Sequence, residues 1–247
     1  MSDQMADGIS ERAYRHCVRS HLTPSRVTVQ ETDLIIYAPQ SMAVAAKEAV
    51  IQQRGYLEHY IRRHPEFLAA LDPLPVDPLS PQIVQEMLRA AKRARVGPMA
   101  AVAGAMAEQV GLALLGHIDE VIIENGGDVF LKTHRELTVG LYAGRSPLSM
   151  KVGLKIAPVR HPLGVCTSSG TVGHSLSLGK ADAVCVVSAS CALADAAATS
   201  IGNRVQSAGD IESAMAWGCG IPGVDGVVVI VGDRIGGWGA VELASLS

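Results

Sequence analysis

A carboxylate and a hydroxyl lie four residues apart in Ser188–Thr199 (SASCALADAAAT), where Asp195 is the only acidic residue. An apolar run typical of a buried strand, residues 183–187, precedes the segment, and its small uncharged residues favour a helix. Residues i and i+4 share one helix face, so Asp195 and Thr199 are predicted to point the same way. Such a pair can hold a hard cation or a phosphate-bound metal ion. The alternative is structural, with Asp195 favouring the helix dipole and Thr199 bonding a carbonyl one turn back.

Two glycines separate two predicted strands in the motif Asn125-Gly126-Gly127-Asp128. Without a Cβ, a glycine turn can present its backbone N–H groups to a ligand. Gly126, Gly127 and Asp128 are therefore candidate ligand contacts. The alternative is a plain tight hairpin, because Gly-Gly is a common turn pair.

A hydroxyl-rich stretch, Cys166–Thr171, belongs to a segment that we predict as a loop over residues 164–170. Hydroxyls beside a glycine suit a phosphate or a ribose, although an ordinary polar turn has the same composition. The candidate contacts in this stretch are Thr167, Ser168, Ser169 and Gly170.

Three further residues could take part in the chemistry. His174 could contact a phosphate or carry a proton, or it could be an ordinary hydrogen-bonded histidine. The apolar segment Met99–Leu115 is predicted to be a buried helix in which Gly104 allows another backbone or a ligand to come close. Glu108 on that helix is expected on a solvated face or in an ion pair.

The elements that position these residues alternate between strands and helices. The pattern predicts helices over residues 41–70, 82–96 and 99–115, around Asp195 and near 210–217, with an exposed proline-rich connection at 72–81. A turn at Pro24 and Ser25 is expected between the first two strands. Predicted strands cover residues 14–20, 26–30, 34–37, 121–123, 129–131, 137–143, 151–157, 183–187, 226–231 and 238–243. The pieces VIIENGGDVFL and VVVIVGDRIGGWGAVEL repeat a strand–turn–strand pattern and suggest a duplicated α+β unit.

Composition restricts the classes of function. The chain has 247 residues, 48% of them hydrophobic, and a net charge of −3, so it can bury a large core and has no basic patch for nucleic acid. Five irregularly spaced cysteines do not indicate disulfides, and Cys166, Cys185 and Cys191 are expected to be small buried hydrophobes. With no signal peptide and no apolar run of membrane-spanning length, we expect a soluble cytoplasmic protein.

Taken in order, five motifs resemble the ApbE family, the FAD:protein FMN transferases, which are metal-dependent flavin-binding proteins. The resemblance covers about residues 97–203, and ADAAAT is its most specific motif. The length of the chain and the ETD at 31–33 look more like a shorter ApbE-related branch than like the transferases themselves. The matching motifs are GPMAAVAGAMAE (97–108), VIIENGGDV (121–129), TSSG (167–170), His174 and ADAAAT (194–199).

The resemblance implies a fold and a site. The fold is α+β, ApbE-like and T-fold-related, with duplicated antiparallel sheets and helices packed on them. It is expected as one domain or as two intertwined subdomains, about 1–120 and 121–247. By match, Asp195 and Thr199 bind Mg²⁺ on the diphosphate of FAD, helped by a backbone carbonyl near residues 101–102. Gly104, Gly126, Gly127, Asp128 and the residues from Thr167 to Gly170 contact the flavin nucleotide, and His174 and Asp195 are catalytic.

The chain departs from the transferase pattern at two places. Ala103-Gly104 stands where the transferases usually have Lys-Gly, and Ser177-Leu178 stands where they usually have Asp-Pro. Three interpretations remain open. The first is Mg²⁺-dependent FMN transfer to an acceptor protein or cleavage of the FAD phosphoanhydride; the second is binding of FAD or another small anionic ligand without that reaction; the third is a structural homo-oligomer.

Overall fold

Strands and helices form three layers in the computed structural model, which describes residues 20–170 and 178–246. A large antiparallel sheet lies in the middle, with helices on one face and a small antiparallel sheet on the other. The large sheet has the order β1-β2-β3-β4-β7-β8-β9-β10, and the small one has the order β11-β6-β5. The strands are β1 (Thr23–Val29), β2 (Thr32–Ala38), β3 (Val121–Asn125), β4 (Asp128–Lys132), β5 (Leu137–Gly140), β6 (Val152–Ile156), β7 (Leu163–Ser168), β8 (Ala183–Ser188), β9 (Gly226–Val231), β10 (Arg234–Gly239) and β11 (Glu242–Ser245).

The helices lie in two groups between the strand pairs. The first group lies between β2 and β3, and the second between β8 and β9. Each half of the large sheet therefore runs strand–strand–helices–strand–strand, which gives the predicted α+β class with duplicated units. The subdomain boundary near residue 120 stays a prediction. The helices are α1 (Ala43–Arg63), α2 (Glu66–Ala69), α3 (Gln82–Ala94), α4 (Val102–Leu115), α5 (Cys191–Gly202) and α6 (Ile211–Cys219), with 3₁₀ turns at Pro98–Ala101 and Ala208–Asp210.

The alternating side chains of the large sheet fill two separate cores. On β8, Val184 and Val186 pack in the core under the helices, whereas Cys185 and Val187 pack against the small sheet. Successive residues of a strand point to opposite faces, so a nearly continuous apolar strand supplies both cores. This register decides which of the candidate site residues can face the helices.

Two local predictions need correction in the first and last strands. Pro24 and Ser25 lie within β1 and do not form a turn. Because β1 is the first strand in the order of the sheet, an edge position, a proline without an N–H group is tolerated there. The strand predicted over 238–243 is interrupted between β10 and β11, which belong to different sheets. The strand predicted over residues 14–20 lies outside the described residues except for Ser20, which is in no strand.

The predicted loop over residues 164–170 is also wrong, since most of it is β7, an interior strand of the large sheet. The hydroxyl-rich composition suggested a turn, but threonine also favours strands. Pairing with β4 on one side and β8 on the other satisfies its backbone groups. Only Ser169 and Gly170 lie beyond the end of this strand.

Among the described residues, the helical segment Pro98–Leu115 is long enough and apolar enough to span a membrane, judged by length and composition alone. This finding is contrary to the expectation from the sequence. In the structure 56% of it is buried, and α4 packs against α1, α5, β3 and β4. This is the environment of a core helix, as its nearly all-round apolar surface predicts.

Candidate functional site

Asp195 and Thr199 are the two partly exposed positions of α5, because the other ten residues of this helix are buried. The helix lies over β7 and β8 and between α3 and α4, and its alanines allow this close packing. The predicted i, i+4 pair therefore lies on the one face of α5 that opens from the core. A carboxylate and a hydroxyl at this opening are accessible to a ligand.

Asp195 is fixed in place by the neighbouring helix. Its Oδ2 atom accepts a hydrogen bond of 2.9 Å from the backbone N–H of Gly104 in α4. A Cβ on Gly104 would collide with the carbonyl of Cys191 and would lie 2.8 Å from Asp195 Cβ. Gly104 thus lets α4 approach the backbone of α5 closely, and its amide orients the Asp195 carboxylate. A direct contact of Gly104 with a cofactor stays a prediction.

The Asn125-Gly126-Gly127-Asp128 motif is a two-residue hairpin turn between β3 and β4. Gly126 and Gly127 have φ angles of +66° and +108°, as a primed hairpin turn requires. The side-chain amide of Asn125 donates a 2.9 Å hydrogen bond to the carbonyl of Ala103, which connects the turn to the start of α4. The alternative of a tight hairpin is therefore correct for the backbone. The turn also lies beside α4 and α5, the two helices joined by the hydrogen bond between Gly104 and Asp195.

Asp128 adds a second carboxylate to this region. It is only 6% exposed, and its Oδ1 atom accepts a 3.2 Å hydrogen bond from the backbone N–H of Thr167. Burial, with the nearby charge of Asp195, raises the pKa of Asp128 well above its usual range. Asp128 and Asp195 are thus close enough for the negative charge of one to disfavour ionisation of the other.

The pKa of Asp195 is raised to about 7, mainly by burial, although the amides of Gly104 and Ala103 act in the opposite direction. Within the described ranges, no lysine, arginine or histidine forms an ion pair with Asp195 or Asp128. Two adjacent carboxylates without a cationic side chain bind either a proton or an added cation. The pair therefore lacks a counter-charge among the described residues, and a divalent cation would supply it in place of a proton.

The hydroxyl residues of the TSSG motif divide between the two faces of the sheet. Thr167 lies opposite Cys185 in the register and hydrogen-bonds its side chain, so the Thr167 hydroxyl faces the small sheet. Ser168 lies opposite Val184, which belongs to the core under the helices, and therefore faces the side that carries Asp195. For Thr167, the backbone N–H contributes to the site through Asp128.

The last two residues of the motif lie beyond the end of β7. The Gly170 N–H donates a 2.9 Å hydrogen bond to the carbonyl of Ala181, and Ser169 is partly exposed. Ligand contacts of Ser169 and Gly170 stay predictions. His174, the predicted catalytic histidine, lies outside the described residues.

Glu108 occupies a position that the sequence did not indicate. Its Oε2 atom accepts hydrogen bonds from the Ala192 N–H at 3.0 Å and from the Ser190 hydroxyl at 3.3 Å, at the start of α5. The expected solvated face or ion pair is therefore wrong, because the carboxylate caps the N-terminus of a neighbouring helix. Burial raises the pKa of Glu108, with a contribution from Glu86. Glu108 thus positions the helix that carries Asp195.

Cys166 and Cys191 form a buried pair below the carboxylates. Their sulfur atoms lie 3.5 Å apart, and Cys166 lies opposite Asp128 in the strand register. Both thiols are free, and burial raises the pKa of Cys166 well above its usual value. The prediction that Cys166, Cys185 and Cys191 are buried hydrophobes is confirmed.

The donors that the site offers fit a hard cation. Asp195 and Asp128 supply carboxylate oxygens and Thr199 supplies a hydroxyl, which are the ligand types that Mg²⁺ prefers. No group of three or more histidine, cysteine, aspartate or glutamate side chains within residues 20–170 and 178–246 forms a metal site by itself. A magnesium ion here would need ligands from water or from a phosphate, as Mg²⁺ usually does.

The chain belongs to the family described as "AbpE bacteria", whose model matches residues 15–229. Among its relatives, a UPF0280 protein of Methanococcus aeolicus is 40% identical over 222 residues, covering 87% of this chain and 90% of the relative. A UPF0280 protein of Methanothermobacter thermautotrophicus is 46% identical over 197 residues, covering 78% and 76%. The predicted membership of an ApbE-related branch is therefore confirmed.

Solved structures of ApbE proteins share the fold. The apo form of the flavinyl transferase ApbE from Pseudomonas stutzeri matches with a TM-score of 0.55 at 12% identity, covering 90% of this chain and 94% of that one. The ApbE protein from Thermotoga maritima matches with a TM-score of 0.56 at 11% identity, covering 87% and 96%. Because the sequence identities are this low, the matches establish the fold alone. It is the ApbE-like fold that the resemblance implied.

Proposed function

We propose that this protein binds a flavin nucleotide, FAD, through a magnesium ion held on the diphosphate by Asp195 and Thr199. The observation that carries the proposal is that Asp195 and Thr199, the two partly exposed residues of α5, lie beside the buried carboxylate of Asp128. A hard cation would neutralise these carboxylates, and a diphosphate would complete its coordination.

The fold supports flavin as the ligand class. The neighbours from Pseudomonas stutzeri and Vibrio cholerae are named flavinyl transferase ApbE and flavin transferase ApbE. Three of the motifs that resemble the transferases also lie together: α4 contacts α5 through Gly104, and the Gly126–Gly127 turn is connected to α4 through Asn125. This shared location supports a common ligand for these motifs.

Each residue would have a distinct part in binding. The Gly104 amide holds the Asp195 carboxylate in one orientation. The Gly126–Gly127 turn would let a ligand approach a backbone without Cβ atoms, although the Gly127 N–H already donates a 3.1 Å hydrogen bond to Glu124 Oε1. Asp128 would supply the second carboxyl group, which a bound cation would favour in its ionised form. When bound, Mg²⁺ would withdraw electron density from the phosphoanhydride and stabilise charge on the leaving phosphate.

The reaction that we propose for this site breaks the phosphoanhydride bond of FAD. In transfer, a hydroxyl oxygen of an acceptor protein forms the new bond to the FMN phosphorus, loses its proton, and AMP leaves. In hydrolysis, water takes the place of that hydroxyl. We assign Asp195 and His174 as the catalytic residues, as the resemblance implies.

A second candidate function is binding without this reaction, and Ala103 favours it. The transferases usually carry a lysine at this position, whereas the methyl side chain of Ala103 supplies no cation to a diphosphate. The carbonyl of Ala103 already accepts the hydrogen bond from Asn125. A ligand could then bind at Asp195 and Thr199 without the charge stabilisation that the reaction needs.

Chromatography of the products distinguishes the two functions. The protein is incubated with FAD and MgCl₂, and FMN and AMP are measured over time. For the enzyme, both products form, and Asp195→Asn abolishes their formation while Asp119→Asn, an exposed change at the far end of β3, leaves it intact. FAD binding without formation of FMN or AMP would support the second candidate. The absence of both FAD binding and products would contradict the flavin proposal.

A further inference from the structure

Two arginines lie against one tryptophan ring on another part of the helical layer. The guanidinium carbon of Arg204 is 3.7 Å from the ring centre of Trp217, and that of Arg95 is 5.0 Å from the same centre. Arg95 follows the end of α3, Arg204 follows the end of α5, and Trp217 lies on α6. Three separate elements therefore bring two positive charges to the same ring, and the charge of Arg95 is close enough to act on Arg204.

Ser200 holds this group of three residues together. The Trp217 Nε1–H donates a 3.1 Å hydrogen bond to the Ser200 hydroxyl, and Arg204 Nη1 donates a 2.7 Å bond to the Ser200 carbonyl. The Ser200 hydroxyl in turn donates to the carbonyl of Ala94, next to Arg95. The ring and the Arg204 guanidinium are thus fixed before any ligand arrives, which lowers the entropy cost of binding.

Within residues 20–170 and 178–246, neither of the two positive charges has a carboxylate partner. Among the ion pairs of the described residues, none includes Arg95 or Arg204. Partial burial, with repulsion by Arg95, lowers the pKa of Arg204. Adjacent like charges without a counter-charge favour binding of an anion.

The backbone of Arg95 suggests that its side chain has a role. Arg95 has a φ angle of +57°, in the left-handed region where glycine is the usual residue after a helix. An arginine in this conformation costs about 1 kcal/mol relative to glycine. An arginine therefore occupies a position at which the backbone conformation alone would favour glycine.

We propose that Arg95 and Arg204 form a binding site for a phosphoryl group of a small molecule, separate from the Asp195 site and independent of the flavin proposal. Two guanidinium groups match the two negative charges of a phosphate better than the single charge of a carboxylate. Each guanidinium group can also donate hydrogen bonds to two phosphate oxygens at once. The ring of Trp217 orients both arginines by cation–π contact.

A purely structural role for the arginines makes the opposite prediction. Arg204 bonds a carbonyl in the last turn of α5, and basic residues commonly stabilise helix C-termini in this way. Within the described residues, Arg204 donates hydrogen bonds only from Nη1, to the carbonyl and the hydroxyl of Ser200. If the arginines served only the helix ends, inorganic phosphate and pyrophosphate would not bind at millimolar concentration.

Tryptophan fluorescence tests the proposal without flavin or magnesium. The chain has two tryptophans, so Trp238→Phe leaves Trp217 as the single reporter. We expect a saturable change in its emission on titration with pyrophosphate, and a smaller one with phosphate. Arg95→Gln should weaken pyrophosphate binding about tenfold, whereas Arg63→Gln, which removes an exposed charge at the end of α1, should leave it unchanged.

The controls separate this site from others. Asp195→Asn should bind pyrophosphate at Trp217 as the parent does, so failure of the flavin proposal would not affect the result. Arg95→Lys, which keeps the charge and loses the planar fork, should bind with intermediate affinity. No change in emission up to roughly 10 mM pyrophosphate, or equal weakening by Arg95→Gln and Arg63→Gln, would overturn the proposal.

Discussion

The Asp195 carboxylate accepts a hydrogen bond of 2.9 Å from the backbone N–H of Gly104, 91 residues earlier in the chain. This bond joins α4 to α5 at the point where α5 opens from the core. It orients one oxygen of the carboxylate and leaves lone pairs on both oxygens for a cation. The packing of two helices and the preparation of the candidate site therefore depend on the same contact.

Gly104→Ala should destabilise the protein strongly. The new Cβ would collide with the Cys191 carbonyl and with Asp195, which the packed helices cannot avoid without moving apart. We expect a loss of about 2–3 kcal/mol in the free energy of unfolding, measured in urea. Gly55→Ala on α1 is the matched control, because nothing lies within 4 Å of its added Cβ. It should stabilise the protein by about 0.5–1 kcal/mol, and equal effects of the two changes would contradict the packing argument.

Stability without metal should fall as the pH rises from about 4 to about 7. The pKa of Asp195 is about 7 in the folded protein against an ordinary value of 3.8, so ionisation costs free energy only in the folded state. The cost is absent below the unfolded pKa and complete above the folded pKa. Asp195→Asn should therefore be more stable than the parent at pH 8, by on the order of 2–4 kcal/mol, and its stability should vary less with pH.

Urea unfolding in EDTA at several pH values measures this difference. Asp119→Asn, which changes an exposed carboxylate, should keep the pH dependence of the parent. Added MgCl₂ should recover stability in the parent and in Asp119→Asn but not in Asp195→Asn. Parallel pH profiles for the parent and Asp195→Asn would contradict the assignment of the raised pKa to this group.

Glu108 should matter for stability through its acceptor oxygen rather than through its charge. Glu108→Ala leaves the Ala192 N–H and the Ser190 hydroxyl without that acceptor, at a cost of about 1–3 kcal/mol in unfolding free energy. Glu108→Gln keeps an acceptor and removes a buried charge, so it should lie much closer to the parent. Glu48→Ala, at an exposed position of α1, serves as the control. A loss for Glu108→Gln as large as for Glu108→Ala would show that the charge is what matters.

The buried thiols should react slowly with a thiol reagent at pH 8. Burial raises the pKa of Cys185 to about 12, and the pKa of Cys191 is raised to about 11, whereas Cys219 is exposed. Only the thiolate reacts, so among the four cysteines that the structure describes Cys219 should be labelled in the folded protein and Cys166, Cys185 and Cys191 only after unfolding. Peptide mass spectrometry assigns each label, with Cys219→Ser as the control. Rapid labelling of Cys191 in the folded protein would contradict the described packing of α5.

The helix face with Asp195 and Thr199 could be predicted from the sequence because it depends on local spacing alone. An i, i+4 pair in an alanine-rich helix shares a face whatever the helix packs against. The hairpin at Gly126 and Gly127 was predictable for the same reason, since Gly-Gly between apolar runs favours a primed turn. These local signals account for the correctly predicted helix face and turn.

What the sequence missed depends on contacts between distant segments. The location of Thr167 in an interior strand follows from pairing with β4 and β8, and its hydroxyl faces away from α5 because of that register. Likewise, the role of Glu108 at the start of α5 requires the crossing of two helices. No spacing within the chain encodes such contacts, and the resemblance to ApbE indicated the ligand contacts without their side-chain directions.

Calorimetric titration of FAD, with and without Mg²⁺, tests the central proposal most directly. FAD should bind the parent much more tightly in MgCl₂ than in EDTA. Asp195→Asn and Thr199→Val should each remove most of this magnesium-dependent gain, while Asp119→Asn and Thr23→Val, at exposed positions, should retain it. FAD binding that is equally tight in EDTA, or a full magnesium effect in Asp195→Asn, would contradict the assignment of Asp195 and Thr199 as the magnesium pair.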